Sequence, residues 1–209
     1  MKQFVGYCLL AVVIALLVFS FLFLFGTDTE STRAHGIHLA NNAHQIFMAI
    51  LVQQLEADEV GSGKNYFPQA GEYASSTDFL RAITTNGVIK GIDFSFYDWK
   101  SHSCHDYHDP AEFTKKYNAW CVVEGLSSNT PPDTPFMFSR NFGFGPDCDS
   151  PVPGTTLDMM IGLNKKEKPL GNKAGIIVTK GGAVKVLTRW DATQSVFNPG
   201  GEKLKILVP

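Results

Sequence analysis

The densest set of reactive side chains in the sequence is HSCHDYHD, in which His102, Cys104, His105, Asp106, His108 and Asp109 fall within one short stretch. Imidazole, thiolate and carboxylate together make a ligand set for zinc or copper, and His105 and His108 are spaced to reach one ion from a single turn. His102, Cys104, His105 and His108 are therefore candidate metal ligands. No second ligand pair follows at the spacing of a zinc module, so a plain polar loop explains the same composition. A second oxygen-rich stretch, DCDSPVPG, brings Asp147 and Asp149, with Asp158 further on, as hard donors for calcium. It lacks the twelve-position EF-hand pattern and reads equally as a proline-rich turn. His35, His38 and His44 lie on a helical pattern, where solvent or lipid headgroups suit them better than a ligand does.

Catalytic arrangements are missing from the sequence. There is no Gly-x-Ser-x-Gly, phosphate loop, His-Glu-x-x-His or Cys-x-x-Cys, and the GFG of RNFGFGPD lacks the strand-to-helix setting of a nucleotide loop. The chain is not expected to be an enzyme. Of the four cysteines, Cys8 falls in an apolar run, which leaves Cys104, Cys121 and Cys148. Two of these can pair in an oxidising compartment. Cys104 with Cys121 is the first choice and Cys121 with Cys148 the second, and spacing alone does not decide between them.

The element that must position all of this is at the start. Residues 4 to 25, FVGYCLLAVVIALLVFSFLFLF, carry no charge and are long enough as a helix to cross the hydrocarbon layer of a bilayer. The run is longer than the apolar part of a cleaved signal and no small-x-small cleavage site follows, so it reads as a retained anchor. Lys2 on one side, with Asp28 and Glu30 on the other, places the N-terminus in the cytoplasm and residues 27 to 209 outside it. Beyond Lys2, 17 of the 18 basic residues face all 20 acidic ones, a formal charge of minus 3 that gives nucleic acid nothing to bind.

After the polar TDTEST, which can bend the chain or continue the helix as one rod, helical spacing resumes. Leu39, Ala43, Ile46 and Ile50 form an apolar stripe that Phe47, Leu51 and Leu55 widen; Asn42, Gln45, Gln53 and Glu56 fall on the opposite side. This amphipathic extension occupies 27 to 58, and residues 59 to 209 form a head. Within the head the sequence predicts a short helix capped by Ser76 or Thr77 and stopped at Gly87, and an extended segment at 92 to 99. Strands are expected at 119 to 126 and 134 to 142, with a hairpin about TKGG at 174 to 188. Loops are expected from 143 to 173, and an extended tail after Trp190. The expected fold is thus α+β: a long N-terminal transmembrane and amphipathic helix packed on a small C-terminal antiparallel sheet.

This order of elements resembles the type IV pilin-like proteins, in particular the pseudopilins of type II secretion. Three stretches carry the likeness: ANNAHQIFMAILVQQLEAD (40 to 58) followed by YFP, NAWCVVEGLSS (118 to 128) and AGIIVTKGGAVKVL (174 to 187). The resemblance implies a pilin-like fold in a single-pass protein of the bacterial inner membrane, its head periplasmic or extracellular. It also implies partners among pilin-like subunits or secretion-system components, besides membrane lipid. A leader peptidase of such systems would cut after Gly6, removing a leader of residues 1 to 6 and making Tyr7 the first mature residue. The fifth mature position would then be Ala11, where the family has a glutamate. The competing expectation is a membrane-tethered metal-binding or sensing module built on the His102 to His108 cluster.

Overall fold

The structure is a computed structural model that describes residues 33–89, 93–98, 109–145 and 147–209. Contacts divide the chain between His35 and Gly36, and the second unit, Gly36–Pro209, carries the fold and opens within a long helix. That helix, α1, spans residues 33–59. Its stripe of Leu39, Ala43, Ile46, Phe47 and Ile50 is fully buried, because one turn in 3.6 residues brings all five to the same side. The chain leaves α1 where glycine permits a left-handed residue: Gly61 has φ 63° and Ser62 N donates to the Ala57 carbonyl over 3.0 Å.

Helix α2, Ser76–Thr85, is capped by Ser75, whose Oγ accepts from Asp78 N at 3.1 Å while Asp78 adds a favourable charge to the first turn. The cap thus lies one residue before Ser76. Asn86 and Gly87, at φ 68°, close the helix where the glycine was expected to stop it. The segment after Ile92 is not extended. Asp93 accepts from Ser95 N at 2.8 Å and turns the chain into a single 3-10 turn, Phe94–Tyr97, a local hydrogen bond outweighing the apolar alternation.

The main sheet has five antiparallel strands: β1 Trp120–Val123, β2 Pro135–Ser139, β5 Ala174–Thr179, β6 Val184–Thr188 and β7 Ile206–Leu207, in the order β6-β5-β2-β1-β7. A separate pair, β3 Phe142–Phe144 and β4 Met160–Leu163, and a short helix α3, Gln194–Phe197, complete it. β1 and β2 are buried at every position, so neither side of the central strands meets water. Phe136 of β2 stacks edge-on to Phe47 of α1 at 5.8 Å and to Phe67 at 5.1 Å; Phe138, two residues on, meets Phe142 and Phe197 at 5.8 and 5.0 Å. The TKGG turn fits this packing through Gly182. Its φ is 84°, and a Cβ there would lie 2.7 Å from the Phe47 ring.

Two features of the expected fold are corrected. Among the described residues no helix is long and apolar enough to cross a membrane. α1 carries His38, Asn41, His44, Gln45, Glu56, Asp58 and Glu59 on exposed positions, and so many polar groups could not be satisfied in lipid. The sheet, moreover, is not a small one: besides the strands expected at 119 to 126, 134 to 142 and 174 to 188 it takes in Ile206–Leu207 to reach five strands, and a second, two-stranded sheet forms from Phe142–Phe144 and Met160–Leu163, largely where loops around at most a turn of helix were expected. The tail after Trp190 likewise forms α3 and β7. The apolar run 4 to 25, Gly6 and Tyr7, Ala11 and TDTEST lie outside the described residues.

Candidate functional site

Three groups of sequence-predicted site residues have different fates. His102, Cys104, His105 and His108 lie outside the described residues. Among the described residues no group of three or more His, Cys, Asp or Glu side chains converges in a way that could hold a metal ion. Asp147 and Asp149 flank Cys148 in a tight loop in which Phe144 and Asp149 exchange backbone hydrogen bonds of 2.9 and 3.0 Å. Asp158 is used locally, accepting from Thr156 Oγ1 at 2.5 Å. Cys121 and Cys148 are both free thiols, so the pairing of these two is not formed. Cys121 sits in β1 opposite Phe138, fully buried, and burial pushes its thiol up to about 12, with Arg140 opposing and Glu167 adding to the shift. A thiol held protonated in this way is no nucleophile.

The clearest surface feature is on α1. Leu55, expected to widen the buried stripe, is instead 59 % exposed, and it is joined by Ile37, Met48 and Val52 at 52, 42 and 45 %. At 3.6 residues per turn these four fall within roughly 60° of each other. They form a second, broken apolar stripe across the helix from Leu39, Ala43, Ile46 and Ile50, continuous from Met48 to Leu55 and separated from Ile37 by the exposed Asn41 and His44. Asn42, placed by its polarity on the outer side, is buried instead, its Nδ2 donating to the Phe96 carbonyl over 3.4 Å. The sequence signal for the outer stripe was present in the 37, 48, 52 and 55 spacing. It was masked because a helix apolar on two sides gives a broad pattern centred on neither.

On the head, a cavity of about 470 Å³ opens between the approach to β1, the end of β2 and the 150 and 167 loops, lined by Lys115, Lys116, Cys121, Arg140, Ser150 and Glu167 among others. Arg140 is its organising group. Its Nη1 donates to the Lys115 and Asn118 carbonyls at 2.9 and 3.2 Å, and its Nη2 pairs with Glu167 at 3.0 Å. Ser150 Oγ donates to the other Glu167 oxygen at 2.7 Å, and Asn164 Nδ2 donates to Ser150 Oγ at 3.3 Å. With Lys115, Lys116 and Arg140 around a single carboxylate, Glu167, that is already engaged by Arg140 and Ser150, the cavity favours anions. No family model, curated protein or solved structure matches the chain.

Proposed function

We propose that this chain is a membrane-anchored structural subunit of the pseudopilin kind, held in the bacterial inner membrane by residues 4 to 25, that works by lateral assembly with similar subunits and has no turnover. The observation that supports this reading is the outer stripe of α1. A monomer whose helix is already seated on its own core has no use for Ile37, Met48, Val52 and Leu55 in water, whereas a neighbouring helix would cover them. On this reading the head faces the periplasm, and its cysteines meet an oxidising compartment.

The test is site-specific photo-crosslinking of the full chain in membranes, with the reactive side chain at Val52 or Leu55 and, as control, at Lys64 beyond the end of α1. Crosslinks to a second copy or to another pilin-like subunit from Val52 and Leu55, and not from Lys64, are expected. Equal yields from all three positions, or none, would overturn the assembly reading.

A further inference from the structure

The loop Asn164–Lys173 between β4 and β5, expected as part of a long, punctuated connection, is both firmly held and strongly basic. Asn164 N donates to the Asn141 carbonyl at 2.8 Å, Asn141 Nδ2 donates to the Gly171 and Ala174 carbonyls at 2.5 and 2.7 Å, and Gly171 N closes on the Glu167 carbonyl at 2.9 Å. Lys165, Lys166, Lys168 and Lys173 are all exposed on it. Its single acid, Glu167, is turned inward to Arg140 and Ser150. Arg140, Lys115 and Lys116 around the adjoining cavity extend the same positive region. Counting Asp147 and Asp149 on the neighbouring loop still leaves seven cations against three acids, in a chain whose formal net charge is −2. A surplus of one sign gathered in one place marks an anionic partner.

The place of the loop says which. Leu170, buried at its tip, closes over Gly36 in the first turns of α1: its Cδ1 lies 3.8 Å from where a Cβ on that glycine would sit. The basic loop is therefore at the end of α1 that leads back to the apolar run. From Phe25 to Gly36 the chain spans at most about 40 Å when extended and about 17 Å as helix. A surface tethered so close to a bilayer stays near its headgroups, where clustered lysines are drawn to anionic lipid.

We propose that Asn164–Lys173 seats on the anionic phospholipid headgroups of the bilayer that holds residues 4 to 25, the headgroup phosphates meeting Lys165, Lys166, Lys168 and Lys173. This rests on the anchored reading above. It adds to the anchor a second contact with the membrane, made by the head itself.

The experiment reconstitutes the full chain in lipid nanodiscs, either wholly zwitterionic or with a third of anionic phosphatidylglycerol, and follows acetylation of each lysine by mass spectrometry. The expected result is a fall of about fivefold in the labelling of Lys165, Lys166 and Lys168 in anionic discs, reversed by 0.5 M salt, with Lys64 at the far end of α1 unchanged. The variant Lys165→Gln/Lys166→Gln/Lys168→Gln, which alters only exposed side chains, should make the labelling of Lys173 indifferent to lipid charge. Equal labelling in both discs overturns the proposal. So does protection in zwitterionic discs by inorganic phosphate equal to that given by anionic lipid, which would mean a small-anion site. A chain recovered apart from the discs overturns the anchored reading itself, an outcome distinct from insertion without a lipid effect.

Discussion

The two sides of α1 should respond to substitution in opposite ways, and the contrast can be sized from the packing. Phe47 is buried against Phe67 and Phe136, with ring centroids at 6.2 and 5.8 Å, and lies directly over Gly182. Phe47→Ala removes this contact and leaves a void between helix and sheet, a change that costs about 3 to 5 kcal/mol. For a domain of ordinary stability that is a large share of the total, roughly 5 to 15 kcal/mol. Leu55, by contrast, has 59 % of its surface in water already. Full burial of a leucine is worth about 1.5 to 3 kcal/mol, so Leu55→Ser should cost roughly 1 kcal/mol or less while weakening self-association in the membrane. The assay is urea unfolding of the full chain in detergent, followed by fluorescence of the buried Trp120, with stability read from the midpoint at unchanged slope. If Leu55→Ser lowers stability as much as Phe47→Ala, the outer stripe is not an outer stripe and the reasoning fails. A Phe47→Ala loss below about 1 kcal/mol would equally refute the packing of α1 on β2.

Gly182→Ala must place a Cβ both at a left-handed backbone position and 2.7 Å from the Phe47 ring, so it should lower stability by about 2 to 4 kcal/mol, checked by the same unfolding measurement. Arg140→Met leaves the Glu167 carboxylate and the Lys115 and Asn118 carbonyls without their donor; a loss of about 2 to 3 kcal/mol is expected, partly restored by adding Glu167→Gln. Cys121 should escape maleimide at pH 8 until the protein unfolds, as mass spectrometry of its peptide would record. Because its folded value lies above the free thiol's 9.0, its contribution to stability is complete below about pH 9 and falls away as pH rises towards about 12. Cys121→Ala should therefore flatten the alkaline stability curve relative to the parent chain. Tyr97, which burial also pushes up, remains in both proteins to continue the decline.

What the residues revealed in advance follows from how local their signals are. The core stripe of α1, the β5–β6 hairpin about TKGG and the strands at Trp120–Val123 and Pro135–Ser139 were legible because periodicity and turn chemistry act within a few residues. β3 and β4 were not. Phe142–Phe144 and Met160–Leu163 are short, glycine-containing and paired across a long connection, and Gly143 and Gly162 are there because Cys148 packs against both. No local pattern states that reason. The cavity was equally hidden, since Arg140, Lys115, Ser150 and Glu167 come from four separate segments and meet only through tertiary structure. The inward turn of Asn42 depends on a single distant carbonyl, at Phe96, and polarity alone pointed the other way.

The central claim is that residues 4 to 25 root the chain in lipid while the remainder folds as a head outside the cytoplasm. Alkaline carbonate washing of membranes, followed by intact-mass and N-terminal determination of the retained protein, tests it most directly. The expected result is a chain that stays with the membrane and begins at Met1 or Tyr7. A chain released into the soluble fraction, or one whose first residue lies beyond Phe25, would contradict it.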